Sequence, residues 1–310
     1  NFPCLKRMDL SNSKCLVETP DFSESPNLER LDFSGCTNLI FVHPSMGRLE
    51  KLVFLSFRDC NNLISIKIGC GGFNLISLRV LHFSGCTKLE NTPDFTRTTN
   101  LEYLDFVGCT SLSSVHESIG ALGKLIYLSF RLCKNLVSIP GNIKIMESLQ
   151  TLDLWGCSKL EYFSLGQALN PSSHLKSLVF LDICFCNLVE VSDAIQELRC
   201  LERLNLQGNN FVSIPYDSFW GLHHLAYLNL SHCHKLEALP DLPSESSSSG
   251  GRYFKTVSGS RDHRSGLYAF DCPKLARIYV MGVTQLKIYR MAVTEPRTDF
   301  ALAWLVRLIE

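Results

Sequence analysis

Along most of this chain the apolar residues keep one frame, Leu-x-x-Leu-x-Leu-x-x-Cys. Leu28, Leu31, Phe33 and Cys36 make one copy, and Leu52, Leu55, Phe57 and Cys60 make the next. The frame returns at Leu78, Leu81, Phe83, Cys86; at Leu101, Leu104, Phe106, Cys109; and at Leu125, Leu128, Phe130, Cys133. It continues through Leu149, Leu152, Leu154, Cys157 and Leu178, Leu181, Ile183, Cys186. Leu201, Leu204, Leu206, Asn209 and Leu225, Leu228, Leu230, Cys233 follow, and a degenerate copy, Leu5, Met8, Leu10, Ser13, comes first. The ten copies start 23 to 29 residues apart. The Leu-x-Leu step has the period of a strand, so both side chains face one way. A strand this short cannot bury its face alone. Neighbouring copies must lie side by side in a parallel sheet and share one core.

That period falls in the range of about 20–29 residues that marks leucine-rich repeats. The fold expected is an α/β leucine-rich-repeat solenoid, a horseshoe. Short parallel strands would line its concave face, loops and 3₁₀ turns its convex face, and a small β-rich tail would follow. The ninth position turns inward, where its side chain can bond backbone groups that would otherwise be buried unsatisfied. This predicts a structural ladder of Cys36, Cys60, Cys86, Cys109, Cys133, Cys157, Cys186, Asn209 and Cys233. Proline recurs later in the coils, at Thr92-Pro93, Ile139-Pro140, Ile214-Pro215 and Leu239-Pro240. It disfavours a long helix there. The two widest spacings place insertions at Gly69–Phe73 and Gln167–His174.

The expected organisation is a repeat array over 1–243, a Ser/Gly-rich linker or loop over 244–266, and a partial post-repeat β-rich segment over 267–310. In the last segment Arg277–Val293 reads as two strands and Phe300–Glu310 as a short apolar helix.

The phrases "LERLDFSGCTNL", "LEYLDFVGCTSL", "LQTLDLWGCSKL" and "LAYLNLSHCHKLEALPDLP" resemble the leucine-rich-repeat region of plant intracellular immune receptors. The class resembled carries an N-terminal TIR domain and a central nucleotide-binding module. The likeness covers about residues 1–243, with a weaker echo at Ala269–Leu275, "AFDCPKL". In that family a similar element opens a β-rich post-repeat domain. No Gly-x-x-x-x-Gly-Lys-(Ser/Thr) phosphate loop and no TIR sequence occurs in the chain. The resemblance therefore implies the C-terminal part of such a receptor or a truncated relative. It implies a non-catalytic recognition module that senses a pathogen effector, or an effector-modified host protein, and contributes to autoinhibition against the receptor's nucleotide-binding module. The alternative is a generic repeat scaffold or adaptor for an endogenous host protein.

Composition narrows the partners. Thirty basic residues balance thirty acidic ones. A nucleic-acid binder needs a basic excess, so none is expected. No run of about 18 apolar residues is present, and no membrane-spanning helix is expected. No basic-then-apolar leader follows Asn1. Fourteen cysteines would signal disulfides in a small secreted scaffold, but here most recur at one repeat position. They read as reduced thiols and place the protein in the cytoplasm, with the nucleus as a second compartment.

The third, fifth and seventh positions of each copy point to the concave face by strand alternation. There Phe54, Arg58, Tyr103, Tyr127, Arg131, Trp155, Phe180, Arg203 and Tyr227 form the candidate protein-binding stripe, since aromatics and arginines dominate interface hot spots. A purely structural role, packing against neighbouring strands, competes with that reading. The fifth row is rich in Asp, with Asp153 and Asp182 adjacent. No nucleophile or positioned base accompanies them, and an open, solvated face would screen their charge. They read as partners for arginine or for a basic ligand. His223, His224, His232, Cys233 and His234 crowd one repeat but fit no standard zinc spacing. Cys184 and Cys200 lie off the ladder without an evident base. No catalytic residue, metal site or cofactor is expected.

Overall fold

The computed structural model describes residues 2–66, 74–160, 175–191, 193–215, 218–238 and 266–275. The third to fifth residues of each copy form a strand. The strands are β1 (Arg7–Asp9), β2 (Arg30–Asp32), β3 (Phe54–Ser56), β4 (Val80–His82), β5 (Tyr103–Asp105) and β6 (Tyr127–Ser129). They continue as β7 (Thr151–Asp153), β8 (Phe180–Asp182), β9 (Arg203–Asn205), β10 (Tyr227–Asn229) and β11 (Gly266–Tyr268). All pair in parallel in chain order, each with the next, as one sheet. The register is constant: Leu31 opposes Leu55, Leu55 opposes Leu81, and so on to Leu204 and Leu228. The convex side holds short 3₁₀ turns at Pro44–Arg48, Glu117–Ala121, Gly141–Ile145 and Asp193–Glu197. The chain is a leucine-rich-repeat solenoid.

One apolar core runs the length of the array, from Phe22 to Ala269. Its sixth-position rings stack coil on coil. Phe33, Phe57, Phe83, Phe106 and Phe130 have centroids 5.1–5.6 Å apart and planes within 9° of parallel. A strand spacing of about 4.8 Å sets this repeat, and rings on adjacent strands satisfy it face to face.

The ninth-position ladder has a single geometry. Cys109 Sγ donates to the Phe83 carbonyl at 3.1 Å, one coil back and at the sixth position. Cys60, Cys86, Cys133, Cys157 and Cys186 do the same to Phe33, Phe57, Phe106, Phe130 and Leu154. Asn209 replaces the thiol with an amide and bonds four backbone groups: it donates to the Ile183 and Leu206 carbonyls and accepts from the Cys186 and Leu188 amides. Burial pushes the thiols up, to about 12 at Cys60 and Cys186, so they stay protonated and able to donate.

The echo at Ala269–Leu275 is an eleventh rung. Gly266–Tyr268 pairs with β10, the Leu230 amide donates to the Tyr268 carbonyl, and Cys272 Sγ donates to the Leu230 carbonyl at 3.2 Å. The sheet thus extends past residue 243, where the sequence placed the end of the array. The insertions at Gly69–Phe73 and Gln167–His174, the stretch 244–265, and the expected strands and helix beyond Arg277 lie outside the described residues.

Replacing one ladder thiol, Cys109→Ala, leaves a small void and removes a donor from a buried carbonyl. We expect a loss of about 1–3 kcal/mol in denaturant unfolding, with the β-sheet signature retained.

Candidate functional site

The fifth-position row closes each strand. Asp9, Asp32, Asp105, Asp153 and Asp182 each accept from the backbone N–H two residues on, at 2.8–3.0 Å. Ser56, Ser129, Asn205 and Asn229 do the same with longer or similar bonds. These side chains satisfy the seventh-position amide as the chain leaves the sheet. The row is therefore structural, and from Ser56 onward it is covered rather than solvated: Asp153 is 3% exposed and Asp182 5%, whereas Asp9 is exposed and Asp32 half-buried. This corrects the expectation of a screened, open row of carboxylates. Side chains on strands about 4.8 Å apart cover one another where neighbouring coils carry large third residues, as at Phe54, Tyr103, Tyr127 and Phe180.

Asp153 and Asp182 oppose each other in the register of β7 and β8. Burial, then the neighbouring Asp182 charge, pushes Asp153 up to about 7. Burial also raises Asp182, although Cys184 and Asn205 donate to it. The buried pair at Asp105 is different in kind. His82 Nδ1 stands 3.5 Å from Asp105 Oδ2, and Ser84 Oγ donates to the same carboxylate. His82 lies between the Phe54 and Tyr103 rings, with centroids at 5.7 and 5.0 Å.

The third row packs on itself. Phe54, Val80 and Tyr103 are buried against each other, with Tyr127 added at the edge. Tyr103 and Tyr127 stack at 4.5 Å, the Arg30 guanidinium lies 3.5 Å over Phe54, and Arg203 lies 4.6 Å over Tyr227. Of the stripe read from the sequence, Phe54, Tyr103 and Tyr227 are thus buried, and Tyr127, Phe180 and Arg203 are half-buried. Arg58 is exposed.

A second cluster lies at the seventh and eighth positions of copies six to eight, where Arg131, Leu132 and Trp155 are half-buried and Phe185 is exposed. Arg131 lies 4.1 Å over the Trp155 ring, and Trp155 meets Phe185 edge to face at 5.8 Å. Phe185 is 38% exposed. Its residue type is unexpected for its backbone. All eleven eighth positions, from Asn12 to Asp271, have positive φ. Glycine fills five of them, and Asn, Asp or His four more. Leu132 (φ 61°) and Phe185 (φ 52°) are the two bulky apolar exceptions. For such residues the left-handed region costs about 1–2 kcal/mol. Their side chains lie over the next coil's eighth residue: a Cβ at Gly208 would fall 2.2 Å from the Phe185 ring, and one at Gly156 3.3 Å from Leu132. Leu132, Trp155 and Phe185, capped by Arg131, form an apolar patch held up by strained backbone. Sequence reasoning found Arg131 and Trp155 but missed Leu132 and Phe185. The signal available was the break in the eighth-position glycine pattern.

At the end of the array His232 and His234 come together with Asp271. The free thiols Cys4, Cys15 and Cys200 are exposed. Cys184 is buried, and burial pushes its thiol up.

A family model described as "Leucine rich repeat" matches residues 174–234. Over 295 residues the chain is 31% identical to TMV resistance protein N of Nicotiana glutinosa, covering 79% of this chain and 25% of that one. Over 241 residues it is 31% identical to Disease resistance protein RPS4B of Arabidopsis thaliana, covering 78% and 17%. The chain thus spans about a quarter or less of these relatives' length. The leucine-rich repeat domain of the type III effector XopL superposes with a TM-score of 0.52 at 21% identity, covering 77% of this chain and 72% of that one, a likeness of fold. The chain fits the leucine-rich-repeat region of a plant disease-resistance receptor, and arrays of this kind serve as non-catalytic interaction modules.

The Asp153 pair gives a pH test. Its folded pKa lies above the unfolded value, so its contribution is most favourable below about pH 4 and is lost as pH rises through neutrality. Asp153→Asn keeps an acceptor for the Trp155 N–H and removes the repulsion. We expect it to raise stability at pH 8 by on the order of 2 kcal/mol, with the gain vanishing near pH 4, in thermal unfolding followed across pH.

Proposed function

We propose that this chain is the recognition module of a plant disease-resistance receptor. It senses a pathogen effector or an effector-modified host protein and contributes to autoinhibition against the receptor's nucleotide-binding module. The carrying observation is the patch of Arg131, Leu132, Trp155 and Phe185. Two of its members hold costly backbone conformations, and the other two are of the types that anchor interfaces. A folded chain retains such strain where the surrounding structure over-determines it and the exposed side chain has a use.

Recognition can drive signalling only through a difference in affinity between resting and active states. In this reading the patch contacts one partner in the resting receptor and another on activation. The register-locked sheet stiffens the wall beneath it, so the patch is presented in one shape and little ordering entropy is lost on binding. The protonated thiol ladder fits a reducing cytoplasm, because an oxidised thiol loses its proton and with it the bond to the preceding coil.

The test is effector-dependent cell death in leaf tissue, using the full-length receptor that carries this chain, with binding measured in parallel. Trp155→Ala and Phe185→Ala each weaken binding by about 2 kcal/mol or more, roughly thirtyfold in Kd, and shift cell death towards loss of response or effector-independent activity. Unchanged binding and unchanged cell death, in variants that keep wild-type unfolding midpoints, would sink the proposal.

A further inference from the structure

The three side chains gathered at the far end of the array come from two coils. His232 occupies the eighth position of the tenth copy, His234 follows two residues later, and Asp271 occupies the eighth position of the eleventh rung. His232 and Asp271 both sit at positive φ, 58° and 52°. Because β10 and β11 are in register, these eighth residues stand on adjacent coils. His232 Nδ1 lies 3.0 Å from Asp271 Oδ2, and His234 Nδ1 lies 3.9 Å from the same oxygen. One ligand atom from each residue falls within 4.8 Å of the others.

We propose that His232, His234 and Asp271 form a binding site for a divalent transition-metal ion of the zinc type. Two ligands about 2.1 Å from a common ion stand roughly 3.0–3.4 Å apart at angles between square and tetrahedral. The first separation already meets that span, and a modest turn of the exposed His234 side chain brings in the second. Two imidazole nitrogens and one carboxylate oxygen are the donor set of zinc and its neighbours in the periodic row, whereas calcium and magnesium prefer oxygens throughout. The residues are partly exposed, so water completes the coordination. The ion bridges consecutive coils. It adds a cross-link to the backbone bonds from His232 to Phe270 and from Leu230 to Tyr268, and it fastens the last rung onto the array. A tolerance of His and Asp for left-handed backbone accounts for positions 232 and 271 singly. It does not account for His234 converging on the same oxygen.

The site is independent of the recognition patch and is tested without it. Untagged chain is titrated with zinc chloride in a calorimeter, with magnesium chloride as control. Amide hydrogen exchange over residues 266–275 is followed with and without zinc. We expect one zinc per chain, no magnesium heat, and slower exchange on zinc addition. Asp271→Asn and His234→Ala should each weaken zinc binding about tenfold or more, and the exchange effect should vanish with them. His234→Ala changes an exposed residue and serves if Asp271→Asn fails to fold. No zinc binding to the wild-type chain would overturn the site, as would a zinc affinity that His234→Ala leaves unchanged because other histidines or cysteines hold the ion.

Discussion

The bond on which this molecule depends runs from a ninth-position thiol to the sixth-position carbonyl of the coil before it. Each coil leaves its strand by bending sharply inward, and the bend leaves that carbonyl inside the core with an unused lone pair. A thiol is small enough to be buried beside the phenylalanine stack and still donates. Repeated from Cys36 to Cys272, with the Asn209 amide in place of one thiol, it locks each coil to its predecessor at the spacing of the sheet. Everything on the concave side inherits that spacing, including which side chains cover each other and which remain exposed.

Two further constraints follow at the same bend. The fifth residue must carry an acceptor for the seventh amide, which explains the succession of Asp, Ser and Asn along that row. The eighth residue must enter the left-handed region, which explains its glycines. Departures in residue type stand out against such a strict frame. His82 breaks the acceptor row, and Leu132 and Phe185 enter the left-handed region without being residue types that tolerate it. His232 and Asp271 obey the rule with residues that also bind metals.

Much of the fold was legible in the sequence, because a repeat states its own periodicity many times over. Strand positions, the inward ladder and the short convex turns follow from the spacing of Leu, Cys and Pro. The concave surface was harder to read. Alternation tells which side of the sheet a residue faces, but not whether neighbours about 4.8 Å away will cover it. Phe54, Tyr103 and Tyr227 were therefore placed on the right face and given too much exposure, while Asp153 and Asp182 were assigned to solvent although they are buried. Backbone handedness leaves no hydrophobic signature, so Leu132 and Phe185 passed as ordinary apolar residues. Asp271 was out of reach for another reason. Its partners lie in a different copy, across a stretch with no repeat signal, and only the register of β11 against β10 brings them together.

In the proposed function Leu132 is kept at a cost to stability because its half-buried side chain completes the patch. The most direct measurement is the unfolding free energy of Leu132→Gly by denaturant titration. Relief of about 1–2 kcal/mol of left-handed strain should offset the lost apolar contact and the added freedom of the unfolded chain, so the variant should be at least as stable as the parent. A variant less stable than the parent would mean that Leu132 serves packing, and the patch would lose its claim to be a surface held in readiness for a partner.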